Sequence, residues 1–154
     1  MMSQNGSSMI QLVGVSDAHL RLLEGMGSRG VMHALGIELR LLSPHRVVAA
    51  LPITEMHLQP WGILHGGISV TLAETVASIG AWLHCVPPHE SAVGIEVNAN
   101  HLRSIAAGTV IATGEPIHAG GTVQVWGISI VAEATDEIVC TSRCTMLKRK
   151  AKPA

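Results

Sequence analysis

The stretch GGISVTLAETVASIGAWLHC, residues 66–85, decides the reading of this chain. Small and helix-compatible residues recur through it, two glycines open it, and Pro87-Pro88 stands just beyond as a helix stop. Apolar or small residues lie nearly all round, so the predicted helix is a buried one. One side chain breaks the pattern. Between Glu55 and Glu90 the sole residue with a formal charge is Glu74, near the middle of the predicted helix.

On the N-terminal side, LGIELRLLS and RVVAALPI are two runs of strand length, joined at Ser43-Pro44-His45 in a predicted hairpin turn. Before them SDAHLRLLEGMG has helical spacing, with Ser16 or Asp17 as the cap and Gly25 or Gly27 as the stop. Leu20, Leu23 and Met26 form its expected buried face. TEMHLQPWG is a loop that leads into the central helix. On the C-terminal side four strand-like runs alternate with turn signals: AVGIEVNANHLRS, GTVIATGEPIHA, GTVQVWGISIVAEA and EIVCTSRCTMLKR, at meander spacing. The order is helix, two strands, one long helix, four strands, an α+β pattern in which an antiparallel sheet wraps around one helix. Residues 15–149 form the single expected domain, with 1–14 a flexible lead-in and 150–154 a basic tail.

Composition narrows the functions. The chain has 154 residues, of which 47% are hydrophobic and 14% charged, with a net charge of -1. That supports one core and provides no field to attract nucleic acid. Phe and Tyr are absent and Trp occurs three times, so aromatic platforms for single strands are missing as well. Apolar stretches are broken before the roughly 20 residues that cross a bilayer, and the N-terminus lacks the pattern of a secretory signal, so no membrane partner is expected. The three cysteines, Cys85, Cys140 and Cys144, make no paired framework and suit a reducing compartment, with the cytoplasm as the expected location. His84, Cys85 and His89 lack a zinc spacing, and no metal is expected.

A carboxylate in a buried helix loses solvation on the order of several kcal/mol unless it is paired, hydrogen-bonded or protonated. Catalytic carboxylates are commonly tuned by such burial. Two other readings stay open here: Glu74 faces solvent, or it pairs with Arg103 or Arg143 in a structural ion pair. Ser78 lies one turn on and Thr71 three residues before, so the three can form one polar stripe. His65-Gly66-Gly67 stands at the helix entrance, where free amides and the positive end of the helix dipole can polarise a carbonyl. For the glycines alone a tight turn is the better explanation, with His65 capping or packing. Nine residues of helix separate His65 from Glu74, about 13 Å, so Glu74 cannot reach a carbonyl at its own helix entrance. Two chains paired with these helices antiparallel would bring each Glu74 beside the other chain's Gly66 and give two identical sites.

QPWGILHGGISVTLAETVAS, VGIEVNANHLRS and, more loosely, PIHAGGTVQVWGISI and TSRCTML carry a family resemblance. The chain resembles the hotdog-fold thioesterases of the phenylacetate-pathway and 4-hydroxybenzoyl-CoA type, and within them the 1,4-dihydroxy-2-naphthoyl-CoA and enterobactin proofreading thioesterases. The likeness covers most of the chain from about Gly27 onward, and the stretch around HGG is the most specific part. It implies hydrolysis of an acyl-CoA, with an aromatic acyl group favoured, and no cofactor beyond the CoA of the substrate. By the same resemblance Glu74 is the catalytic carboxylate, as nucleophile or as general base on water, and the Gly66 amide polarises the thioester carbonyl. Gln59 and His65 flank the acyl group, and Ser78 supplies a hydroxyl beyond the carboxylate. Gly67, His101, Arg103, His118, Gly120 and Thr122 belong to the expected substrate-binding surface. Related proteins often carry a basic residue in the turn where this chain has Gly120-Gly121. The expected partner is a second copy, in a dimer with shared sites and a homotetramer built as a dimer of dimers.

Three other functions fit the same scaffold: a thioesterase acting on acyl carrier protein, a hydratase or dehydratase, and an acyl-CoA-binding or assembly protein without turnover. The hydratase needs a His/Asp arrangement absent here. A mere binder has no need of an isolated helix carboxylate.

Overall fold

The computed structural model describes residues 9–23 and 29–150. Its elements are β1 (Gln11–Leu12), α1 (Asp17–Leu23), α2 (Gly30–Leu35), β2 (Glu38–Ser43), β3 (Arg46–Pro52), a 3-10 turn (Glu55–His57), α3 (Gly66–Leu83), β4 (Glu90–His101), β5 (Thr109–Ala119), β6 (Val123–Ala132) and β7 (Ile138–Lys150). The six main strands and the central helix stand where the sequence puts them, and the Ser43-Pro44-His45 hairpin forms. Three details differ. Gln11 and Leu12, assigned to the lead-in, pair in parallel with β2. Lys150, assigned to the tail, ends β7. The short helix α2 was missed, although Gly36 closes it in the left-handed conformation with amide bonds from Gly36 and Ile37 back to His33 and Met32.

α1 starts as expected, with Ser16 Oγ accepting the His19 amide at 3.4 Å. Its buried residue is His19, however, whose ring meets Ser16 Oγ at 2.7 Å and the Trp82 carbonyl at 3.2 Å. Leu20 and Leu23 are only half-buried. The expected stops Gly25 and Gly27, and Met26, lie outside the described residues.

One seven-stranded sheet runs in the order β1-β2-β3-β5-β6-β7-β4, antiparallel throughout except at β1-β2. The simple meander holds for β5-β6-β7. β4 instead passes to the far edge, where it pairs with β7 alone. The sheet curls around α3, whose residues Ser69, Leu72, Ala73, Val76, Ala77, Gly80 and Leu83 are buried at helical spacing. Trp126, fully buried, is the largest side chain of an otherwise aliphatic core.

The expectation that α3 is buried all round is corrected. Val70, Thr71, Glu74, Thr75, Ser78 and Trp82 form a second, half-exposed face. By length and composition α3 could also cross a membrane, but half of it is buried inside the protein against the sheet. It ends at Leu83, before the two prolines, with the His84 and Cys85 amides bonding back to Ala81 and Trp82.

Candidate active site

The loop before α3 is held at several points. His57 is buried, its Nδ1 accepting the Thr54 amide at 3.0 Å while its carbonyl accepts the His65 amide at 2.9 Å. The bridge Leu58–Leu64 and the Gln59 amide donating to the Ile63 carbonyl close the next bend, where Gly62 takes φ +80. These contacts fix Gln59 and the start of α3 relative to each other. His57 did not stand out in the sequence, because its role lies in bonds made once the loop has folded.

His65 is the N-cap of α3, with Nδ1 accepting the Gly67 amide at 2.9 Å. The Gly67 N–H, expected to face substrate, is therefore already bonded. The Gly66 N–H has no acceptor among the described residues. It is the free donor at the helix entrance. A cleft of about 320 Å³ opens there, lined by Gln59, Gly66, His101 and Arg103 together with Ser69 and Ile105. Ser69 was missed, though its position three residues after Gly66 puts it on the same first turn. A Cβ on Gly66 would come within 2.8 Å of His101 Nε2, so the glycine lets the imidazole lie against the helix entrance.

Glu74 stands eight residues farther along α3, about 12 Å at helical rise. It is half-exposed within the single chain, between the buried position and the solvent-facing one that the sequence leaves open. It forms no ion pair among the described residues: Arg103 pairs with Glu137 at 3.3 Å, and Arg143 has no carboxylate partner. Thr71 Oγ1 donates to the Gly67 carbonyl at 2.8 Å, so that hydroxyl serves the helix backbone. Ser78 shares the half-exposed face one turn beyond Glu74. The thiol of the fully buried Cys144 is pushed up to about 12 by burial first and by the Glu74 and Glu96 charges second.

His118, Gly120 and Thr122 are placed elsewhere. Thr122 accepts the Lys148 amide at 2.8 Å, and Lys148 Nζ donates to the carbonyl of His84, the C-cap of α3. The turn is thus tied to the C-terminal end of an 18-residue helix about 27 Å long, with Gly66 at the other end. One chain does not unite Arg103 with this turn. Among the described residues no three of His, Cys, Asp and Glu gather where a metal could sit.

The geometry accordingly offers a free helix-entrance amide, a carboxylate beyond its reach, and an open cleft. Residues 62–139, about half the chain, match the family described as the thioesterase superfamily. The chain belongs to that superfamily. The 1,4-dihydroxy-2-naphthoyl-CoA hydrolase of Listeria monocytogenes is 47% identical to this thioesterase over 79% of its chain and 97% of the relative. The Escherichia coli hydrolase of the same name is 37% identical, over 82% and 91%. A solved thioesterase of Haemophilus influenzae aligns with TM-score 0.77 at 35% identity, covering 92% of this chain and 96% of the other. The E. coli PaaI protein of the phenylacetic acid degradation operon aligns with TM-score 0.76 at 22% identity and supports the fold. The sheet curled around α3 is the hotdog fold.

Proposed function

We propose that this thioesterase hydrolyses an acyl-CoA with an aromatic acyl group, at sites each built from two chains. The Gly66 N–H of one chain holds the thioester carbonyl and Glu74 of the other acts on it. The observation that carries the reading is the arrangement of these groups along β4: Glu74 packs against Gly94 and Gly66 against His101, at two points on one edge strand. β4 has a neighbour on one side only, leaving the other edge to pair. An antiparallel β4–β4 pairing centred near Val97 and Asn98 sets the Gly94 region of one strand against the partner's His101. Each Glu74 then faces the partner's Gly66.

A thioester carbonyl held by a fixed backbone donor is open to attack by a carboxylate, or by water that the carboxylate deprotonates. Either route expels the CoA thiolate, which takes up a proton: water deprotonated by Glu74 yields the free acid directly, whereas attack by Glu74 forms a mixed anhydride that a water molecule then hydrolyses to the free acid and the restored carboxylate. No cofactor beyond the CoA of the substrate is needed. Gln59 and His101 flank the acyl group in the cleft, His65 holds the helix entrance, and Ser78 lies beyond the carboxylate. Arg103 at the cleft rim meets CoA phosphate. The separation of Arg103 from the His118–Thr122 turn supports a CoA bridging subunits, and with it a dimer of dimers. The aromatic preference is supported by the names of the Listeria and E. coli relatives. The three buried, unpaired thiols suit a cytoplasmic setting.

Glu74→Gln is the direct test, because it keeps the side-chain shape and removes the charge. Turnover across aromatic, short-chain and long-chain acyl-CoAs should fall by orders of magnitude while acyl-CoA binding and folding persist. Full hydrolysis by the variant would refute the assignment. Mixed dimers of Glu74→Gln and Gly66→Pro chains should recover activity at one of their two sites, since Pro removes the N–H. Verified mixed dimers without activity would refute the sharing of sites.

A further inference from the structure

Gly94 is a glycine whose backbone does not require one. Among the described residues Gly14, Gly30, Gly36, Gly62 and Gly108 have positive φ, and Gly94 does not. Glycine inside a strand sacrifices about 0.5–1 kcal/mol relative to alanine. Its neighbourhood supplies the reason. A Cβ on Gly94 would lie 2.5 Å from Glu74 Oε1 and 3.4 Å from Cδ. At the same place the β4–β7 register shifts between Gly94 and Glu96, so the edge strand is bulged beside the carboxylate. No hydrogen bond or ion pair reaches the Glu74 carboxylate among the described residues. The sulfur atoms of Cys144 and Met146, 3.4 Å apart, belong to the fully buried residues of β7 on the neighbouring strand.

We propose that Gly94 is a positioning residue for Glu74, its missing side chain and the β4 bulge forming the slot that fixes where the carboxylate lies. The inference rests on the reading of Glu74 as the catalytic carboxylate. Position is then set by shape instead of by a bonding partner, which leaves both oxygens free for the thioester or its attacking water. A methyl group on Gly94 would push Oε1 back by about 1 Å to reach ordinary contact distance. Because the displaced atom ends a flexible side chain, the fold has little to rearrange.

The test compares wild type, Gly94→Ala, Glu74→Gln and the double variant, in steady state and single turnover with the best acyl-CoA of the panel. A misplacement of about 1 Å is expected to lower kcat on the order of 100-fold. KM should stay within a few-fold and the melting temperature should not fall. In the Glu74→Gln background Gly94→Ala should change the residual rate by less than a factor of about two, since the carboxylate through which it acts is gone. Unchanged kcat in Gly94→Ala overturns the proposal, as does an equal fractional loss in both backgrounds. A large fall in melting temperature, or failure to fold, also overturns it by making the role structural. Glu74→Gln separates the two claims: an active Glu74→Gln refutes the proposed function, whereas an inactive Glu74→Gln beside a fully active Gly94→Ala refutes the positioning alone.

Discussion

Replacing Gly80 by alanine sets helix propensity against packing, with a sign that the structure decides. In an isolated helix the change is worth about 1 kcal/mol of stability. Here the added methyl would lie within 2.7 Å of three carbons of the Trp126 indole. Ordinary carbon contacts sit at about 3.5–4.0 Å, so the overlap is close to 1 Å. The indole has little freedom to retreat: it is fully buried, Nε1 donates to Gln124 Oε1 at 3.0 Å, and its ring lies edge-on to His84. Overpacking costs typically about 1–3 kcal/mol, and a pinned partner puts this site at the upper end. The net expectation is a loss of about 2 kcal/mol, or a fall in melting temperature of about 4–8 °C at this chain length. Thermal unfolding at fixed protein concentration measures it, since self-association would otherwise move the midpoint. Trp126→Phe removes the clashing part of the indole. In that background Gly80→Ala should therefore stabilise, by about 1 kcal/mol. A higher melting temperature for Gly80→Ala alone would refute the packing argument, as would a penalty that persists with Phe at position 126.

Two further outcomes follow from charge and burial. The Glu90 carboxyl is held below its usual range by the Lys148 ammonium and the Val86 amide, with contacts of 2.9 and 2.8 Å. Its contribution is present above the unfolded carboxyl value and is lost as pH falls through the lowered folded value, so the stability gap between wild type and Glu90→Gln should close on acidification below about pH 4. Denaturant titrations at stepped pH read this, and a gap that widens in acid would reverse the assignment. The three thiols are buried, with those of Cys85 and Cys140 raised mainly by desolvation and that of Cys144 at about 12. An aromatic disulfide reagent at pH 8 should leave them unlabelled in the native chain and label all three after denaturation. As pH rises past about 8.5 the unfolded thiols ionise and the folded ones do not, so stability should decline there. Rapid native labelling would contradict the burial.

Much of the site was legible because its signals are local. Two glycines after a histidine mark a helix entrance, and one charge in a long apolar helix stands out whatever surrounds it. Whether Glu74 is buried or faces solvent stays open in the sequence. The helix residues around it are small, and small residues serve a half-exposed face as well as a buried one, so periodicity could not show that the Glu74 side is open. His65 and Gly67 belong to the site by resemblance, with a capping His65 open beside it; the imidazole does cap the Gly67 amide, a bond that depends on a side-chain torsion. Arg103 and the His118–Thr122 turn were grouped by resemblance and lie at opposite ends of α3, a separation that strand lengths alone do not reveal.

By itself the sequence determined the elements: the hairpin at Pro44-His45, the central helix and the four strands that follow it. These come from periodicity and turn chemistry within a few residues. It also supplied the chemical groups of the site. Only the tertiary structure decided that β4 crosses to the far edge instead of pairing where it falls in the chain. That choice is made by contacts remote in sequence, in which β4 pairs with β7 and both pack on α3. It brings Gly94 beside Glu74 and His101 beside Gly66, and it leaves a bare strand edge next to both.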